Sequence, residues 1–422
     1  MKVWLLTVGE PLPIDPGQPR LHRGGIIADI LAQRGDDVTW WTSTFHHTDK
    51  AFRFPETKSV RVNDRLKLWC LQSRPYARNI SVARLLANRD IAAEFRRRAG
   101  DELPPDVILA SYPIPELSRA GAEYAAVRSI PCIVDIRDLW PDAWTTILPK
   151  LLQPLGSLAL LPFYRQSRVT LRGFSGICAI TDDMVDWGLA RAGRKRGKWD
   201  RAFPLAYPET IYSPVQLVEA RRFWSAKLDG LPPARLKLCF FGNISTARAR
   251  IDVMIDAMRL LPHDVKVGTR LVICGLGEGL DALRKSAADV LQIVFAGWAN
   301  GPQIQTLASS SHAGILPYPS DEDFKRSIPN KAIEYLAHGL PILTSLKGPV
   351  SSLIASEGCG RVYRETDARD LAATLVDLFN APRQLETMAD NARRAFRDRF
   401  LATNVYGRLA NMLTDIVQTT RR

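Results

Sequence analysis

The 422-residue sequence contains no run of about 18 apolar residues, the length a helix needs to cross a bilayer. Its longest candidate, Leu151 to Phe163, is short and is broken by Pro154 and Pro162. The opening MKVWLLTVGEPLP is too short an apolar stretch for a signal peptide and has no small-residue cleavage site. These absences predict a cytoplasmic protein. Close cysteine pairs are missing as well: Cys70, Cys132, Cys178, Cys239, Cys274 and Cys359 are scattered, which signals neither a zinc knuckle nor a disulfide framework. Four of them sit in apolar runs such as IPCIVDI and LVICG and read as small core side chains. No repeat with a period of about 20 to 50 residues is visible, so a solenoid is excluded.

What is present is an ordinary globular balance, 46% hydrophobic and 24% charged, which excludes disorder and low complexity. At roughly 150 residues per domain the length predicts two or three domains, each with its own core. The formal net charge of +13 is spread over both halves with a modest excess in the first. It calls for a polyanionic partner or surface: nucleic acid, an anionic membrane face or a phosphorylated substrate.

The chain opens with a buried-strand run, Val3 to Val8, a loop rich in Pro and Gly, a helical pattern at Ile26, Ile27, Ile30 and Leu31, and a strand at Val38 to Thr42. That order opens a parallel α/β sheet. Further strands are expected at Val107 to Ala110, Cys132 to Asp135 and Gly176 to Thr181, with helical pattern between them. The charged segment RAGRKRGKWDR, Arg191 to Arg201, reads as a solvated loop or linker. The pattern restarts with LKLCFFGN and runs through LVICG, IVFAGW, GILPY and PILTS, each followed by helix, to a helical tail from about Asp367. Two Rossmann-like halves joined near residues 200 to 210 are predicted.

In such folds ligands bind beyond the carboxyl ends of the strands, where backbone N–H groups and helix N-termini favour anions. In the second half those loops hold Gly242-Asn243, Gly275 to Gly279, Gly297-Trp298-Ala299-Asn300 and Pro317-Tyr318-Pro319. GLGEGL at Gly275 departs from GxGxxG, follows an interior strand and lacks the acidic residue expected at the end of the next one. A tight turn at positive φ is its plain reading, and a turn that admits a nucleotide phosphate is the other. In SIPNKAIEYLAHGLPILTS, Pro329 starts a helix, Gly339 closes it, and Lys331 sits in the first turn against the helix dipole. A cation there suggests a neighbouring anion. Glu334 lies one turn on, and an ordinary surface pair is the alternative.

That segment resembles the PxK…E-Y-x-A-x-G-x-P-[IV] signature of the family 4 retaining glycosyltransferases (group 1) of GT-B architecture. The likeness continues in FFGNISTARARIDVMIDAM, VICGLGEG, FAGW and GILPYPSDEDFKRS, in the expected order. In the first half, HRGGIIADILAQRGDDVTWWTSTFHHTDKAFR and VDIRDLWPDAW are similar to a branch that builds bacterial surface polysaccharides. The resemblance implies an α/β, GT-B fold of two facing Rossmann-like domains. Residues 1–206, with a C-terminal helix at about 402–422 crossing back to them, would bind acceptor; residues 207–401 would bind a nucleotide-sugar.

The resemblance further implies that Glu334 holds the donor ribose and that Gly297 to Ala299 lie against the base. Gly242, Asn243, Gly275, Gly277, Ser327 and Asn330 would complete the donor site. The family's diphosphate-binding Lys falls on Ala249, so Arg248 or Arg250 would replace it beside Lys331. Arg326 stands where the family has a Glu that touches the donor sugar; diphosphate or a modified sugar are its two expected partners. Asp321-Glu322-Asp323 reads as a solvated acidic loop and no metal or other cofactor is expected. Retention requires no dedicated nucleophile, because the donor phosphate can take the acceptor proton while a cationic pocket holds the leaving diphosphate.

On the acceptor side, Arg23, Gly24 and Gly25 start the first helix, facing the cleft between the domains, with a solvent-facing cap as the alternative for Arg23. His47 matches the branch's usual histidine. Arg137 and Asp138 end another strand, Asp138 placed to orient or deprotonate a hydroxyl, or else paired with Arg137. Leu148 to Arg168, bracketed by Lys150, Arg165 and Arg168, suits an anionic lipid surface, a buried helix pair being the alternative. The expected function is transfer of a sugar, UDP-linked by preference, to a glycan or polyprenyl-diphosphate-linked acceptor, in the cytoplasm or peripherally on the inner face of the plasma membrane. The rivals are a degenerate nucleotide-sugar binder and a GT-B-shaped epimerase. Nucleic acid is not an expected partner, for no aromatic–basic stripe is present.

Overall fold

The computed structural model describes residues 1–421 except 18, 80, 143–157, 210, 246–248, 321–323 and 325–326. Arg248, Arg326, the acidic triplet at 321–323 and Lys150 therefore lie outside the described residues. The chain divides into two compact units, Met1–Pro204 with Ala402–Arg422, and Leu205–Leu401.

The first unit runs β1 (Lys2–Leu6), α1 (Arg23–Gln33), β2 (Asp37–Ser43), β3 (Phe45–His46), β4 (Ala51–Phe52), β5 (Lys58–Arg61), β6 (Leu66–Leu71), α2 (Val82–Arg98), β7 (Val107–Tyr112), α3 (Pro115–Val127), β8 (Cys132–Ile136), α4 (Leu161–Arg172), β9 (Gly176–Ala179), α5 (Asp182–Ala192) and β10 (Arg201–Ala202). Its sheet order is β10-β9-β8-β7-β1-β2-β6-β5, parallel throughout except for the β5–β6 pair. The strands are near-continuous apolar runs because helices cover both faces. The direction of winding reverses between β1 and β7, the crevice where doubly wound sheets bind ligands.

Two expectations are corrected here. No strand is expected between Val38 to Thr42 and Val107, yet β5 and β6 form a hairpin that extends the sheet beyond β2. β5 is four residues long and mostly exposed, so it has no apolar alternation to announce it, whereas β6 alternates over most of its six. The charged segment from Arg191 is not a free linker. Asp200, 4% exposed, takes both Arg194 Nη atoms at 2.6 and 2.7 Å and the Ile177 N–H at 2.8 Å, and so draws β10 onto the edge of β9.

The second unit runs α6 (Pro214–Leu228), β11 (Leu236–Phe241), α7 (Ile251–Leu260), α8 (His263–Val267), β12 (Thr269–Cys274), α9 (Leu280–Ser286), β13 (Ile293–Gly297), α10 (Gly301–Ser309), β14 (Ala313–Leu316), α11 (Asn330–Ala337), β15 (Ile342–Thr344), α12 (Pro349–Glu357), β16 (Gly360–Val362), α13 (Ala368–Asn380) and α14 (Pro382–Arg399). Its order, β13-β12-β11-β14-β15-β16, is wholly parallel and reverses between β11 and β14. Two apolar clusters, around Phe240–Ile273 on one face and Phe241–Tyr335 on the other, form its core. The last helix, α15 (Ala402–Thr420), packs on α1 of the first unit, where Arg34 reaches the Asn411 side chain at 2.8 Å. All six cysteines are buried and unbridged.

Candidate functional site

In the second unit the loops after β11, β12, β13 and β14 meet at one edge. Gly242 N donates to the Cys274 carbonyl at 3.0 Å, Gly275 N to that of Gly297 at 2.8 Å, and Arg250 N to that of Pro317 at 2.6 Å. The glycines explain the closeness. A Cβ on Gly275 would stand 1.8 Å from the Gly242 carbonyl oxygen, and one on Gly277 would stand 2.1 Å from that of Ile244. The Gly275 cluster is thus required by loop-on-loop contact together with a positive φ of 145°. Gly297 has a φ of 78°, and Trp298 beyond it is 65% exposed while Ala299 is buried. Asn300 then caps α10 with Gln303 in a reciprocal box.

Helix α11 supplies the charged pair. Pro329 occupies its N-cap, one residue earlier than the sequence suggested, and Gly339 leaves it with φ 68°. Ala332, Ile333 and Leu336 face the core. Lys331 Nζ lies 2.9 Å from Glu334 Oε2 and 4.8 Å from the centre of the Phe241 ring. The Lys331 stem covers Gly242, whose added Cβ would meet Lys331 Cε at 3.2 Å. The expected alternative of an exposed surface pair is not what forms, because the Glu334 side chain is 4% exposed. Asn330 and Asn243 are exposed, and Ser327 is half-buried.

The loop after β11, where a diphosphate is expected, places Ala249 and Arg250 differently. Ala249 is buried in the core beside Ile251 and Met254, so its side chain faces away from the loop's outer surface. Arg250 is half-buried, and its guanidinium grips the Asp252 carboxylate with Nε at 3.0 Å and Nη2 at 2.7 Å. That hydrogen bond raises the Arg250 pKa. A surface pair of this kind contributes about 0–1 kcal/mol, so an incoming phosphate can redirect it cheaply.

The first unit treats its predicted residues differently. Arg23 is neither a solvent-facing cap nor open to an acceptor. It is 4% exposed and gives Nε and Nη2 to Asp135 at 2.9 and 2.8 Å, and Nη1 to the carbonyls of Phe203 and Pro204 at 2.8 and 3.0 Å. Arg137 pairs with Asp135 at 2.8 Å and with Glu10, not with Asp138. Glu10 in turn accepts from the backbone N–H groups of Gly24 at 2.9 Å and Gly25 at 3.3 Å. A side chain at Gly24 would meet Glu10 Oε2 at 2.9 Å. The start of α1, where His22 gives no side-chain cap, is therefore occupied by the protein's own carboxylate. The reason could not be read locally: Arg23 and Asp135 lie 112 residues apart.

His47 lies beyond β3 with Nδ1 2.6 Å from the Tyr76 hydroxyl. Burial first, then the charges of Lys50, Arg84 and His46, push its pKa down to about 4. Asp138 is exposed at the end of β8 and borders a small cavity with Asn79, Arg84, Asn88 and Glu116. The sequence reading missed Tyr76, Arg84 and Asn88. Their one local signal was the i, i+4 spacing of Arg84 and Asn88, which sets both on one face of α2.

The comparisons accord with this geometry. Residues 235–381 match the family model described as glycosyl transferases group 1. A mannosyltransferase, the MMP alpha-(1->4)-mannosyltransferase of Mycolicibacterium hassiacum, is 36% identical over 64 residues; this match spans 15% of the present chain and 16% of that protein. Among solved structures, the sucrose-phosphate synthase of Thermosynechococcus elongatus superimposes with a TM-score of 0.71 at 15% identity, covering 99% of both chains. Anabaena Alr3699/HepE in complex with UDP gives 0.65 at 14% identity, covering 98% of this chain and 100% of that one. The chain has the fold of the GT-B glycosyltransferases, and its residues 235–381 are a glycosyltransferase group 1 domain.

Proposed function

We propose that the protein is a retaining hexosyltransferase that takes its sugar from a nucleotide diphosphate, UDP by preference. The acceptor is a hydroxyl of a glycan or polyprenyl-diphosphate-linked saccharide in bacterial surface-polysaccharide synthesis. The observation that carries this reading is the buried Glu334 carboxylate on α11 of the second unit, with Lys331 Nζ 2.9 Å away and Gly242, the first of the linked glycine turns, against the Lys331 stem. A carboxylate there accepts from two ribose hydroxyls, and the Lys331 ammonium lies within a side chain's reach of the attached phosphates. The bound UDP of the Anabaena relative supports the choice of base.

Lys331 and Arg250, with Arg248, would stabilise charge on the departing diphosphate, so that catalysis rests on electrostatics with no resident metal. Asp138 would orient the acceptor hydroxyl in the first unit, and Arg23 and Arg137 act as positioning residues behind it. On α4 only Ser167, Thr170 and Leu171 are buried, which leaves Leu161, Arg165, Arg168, Val169 and Arg172 on the outside. That face supports peripheral contact with an anionic membrane. No helix of the described residues is long and apolar enough to cross one.

The test is a thermal-shift panel of UDP, GDP and dTDP and their sugars, with and without magnesium. A ligand at a hundred times its dissociation constant stabilises by about 2.7 kcal/mol. UDP is expected to stand out, and Glu334→Ala to weaken it about ten- to a hundredfold, the worth of a charge-assisted bond of about 1.5–3 kcal/mol. No shift with any nucleotide would sink the donor reading, and a shift that requires magnesium would sink its metal-free form.

A further inference from the structure

The first unit holds a cavity of about 110 Å³ at the crevice where its sheet reverses direction. Val8 and Gly9 follow β1, Ser43 ends β2, Ser73 follows β6 and Ile114 follows β7 around it. This is the carboxyl edge, where doubly wound sheets take their ligands. His47, Tyr76, Arg84 and Asn88 complete its polar wall, and no carboxylate of the described residues lines it. The Lys50 ammonium stands outside, 4.7 Å over the Tyr76 ring.

Asn88 gives this cavity its significance. It is 9% exposed, its carboxamide has no hydrogen-bond partner among the described residues, and it borders both this cavity and the smaller one that leads to Asp138. A carboxamide that bonds to no described protein group offers both a donor and an acceptor to a ligand in the cavity. Arg84 is also shared by the two cavities, and its Nη1 donates to the Asn79 carbonyl at 2.8 Å. The lowered pKa of His47, caused in part by Lys50 and Arg84, reports the same positive field from inside the wall.

We propose that this cavity is an anion subsite, in which Arg84 and Asn88 grip a phosphate group carried by the acceptor. The proposal rests on the glycosyltransferase reading and narrows the acceptor to a phosphorylated one. The volume suits a phosphate and is too small for a sugar ring with its substituents, for which pockets begin at about 300 Å³. The sugar would instead lie outside the cavity, beyond Arg84 and Asn88 and on the side of the exposed Asp138. The phosphate belongs either to a soluble hexose monophosphate or to a lipid-linked diphosphate, which present the same oxygens to Arg84.

The test uses the full chain and inorganic phosphate as probe, followed by ³¹P line broadening in the presence of saturating UDP. Phosphate is expected to bind in the millimolar range. Arg84→Gln and Asn88→Ala should each weaken it at least tenfold, Arg84→Lys should restore part of the loss, and UDP affinity should be unchanged in all three. Phosphate binding that ignores both Arg84→Gln and Asn88→Ala, or that is absent from the folded wild type, overturns the subsite. Loss of UDP binding in the wild type with an Arg84-dependent phosphate signal would sink the donor reading and leave the subsite standing. Competition then separates the sources: displacement by glucose 6-phosphate assigns a soluble acceptor, displacement by farnesyl diphosphate a lipid-linked one, and failure of both overturns the proposal.

Discussion

The two units share a parallel strand order 3-2-1-4-5-6, to which the first adds antiparallel β5 at one edge and β10 at the other, and both gather charge where that order reverses, yet they use the charge in opposite ways. In the first unit Glu10, Arg23, Asp135 and Arg137 close on one another, and Asp135 is wholly buried. The set ties the end of β8 to the start of α1 and to the chain's exit at Phe203 and Pro204. In the second unit the cations stay near solvent: Arg250 holds an exposed neighbour, and the part-exposed Lys331 reaches down to a buried Glu334. The difference teaches that a charged residue at a ligand edge is not thereby a ligand residue. Whether its partners already sit inside the fold decides.

The comparison breaks first at Arg23. Arg23→Met would leave Asp135 with one cation in place of two, and breaking a buried pair costs about 3–5 kcal/mol. Urea unfolding should show that loss, while a fall below about 1 kcal/mol would mark the network as no stronger than a surface pair. Acid is the next lever. Burial alone would raise the Asp135 carboxyl, but Arg23 and Arg137 outweigh it and hold its pKa at about 2. The folded value lies below the unfolded value of about 3.9, so the stabilisation is complete above that pH and is lost as pH falls toward 2. The loss is on the order of 2 kcal/mol. Asp135→Asn should lack this part of the acid limb. An unfolding profile parallel to wild type over that window would remove Asp135 from the account. The smallest effect sharpens the contrast. Arg250→Gln should change stability by about 0–1 kcal/mol while it weakens UDP binding, as calorimetry would read. A large loss of stability would place Arg250 with the structural charges of the first unit.

Much of the second unit was legible because its signals are local. Pro329, Lys331, Glu334 and Gly339 fall within one helix and its two ends, so spacing alone sets their relation. The glycines at 242, 275, 277 and 297 announced turns at strand ends, although only the contact of Gly275 with the Gly242 carbonyl shows why the cluster is packed so tightly. Legibility failed where the partner is distant. Nothing near Arg23 points to Asp135, nothing near Gly24 points to Glu10, and the ungapped match at Ala249 could not reveal a side chain turned into the core.

The sequence by itself determined the two α/β units, the glycine turns at the strand ends of the second, and the helix that carries Lys331 and Glu334. Those follow from period, glycine placement and residues less than two helical turns apart. Only the tertiary structure decided which charges are satisfied inside the fold and which stay available, and it alone brought His47, Tyr76, Arg84 and Asn88 around one cavity. The reason is that desolvation and pairing depend on groups in other elements, from 14 residues away for Gly24 and Glu10 to 127 for Arg137 and Glu10. Chain folding sets those distances, and residue spacing does not.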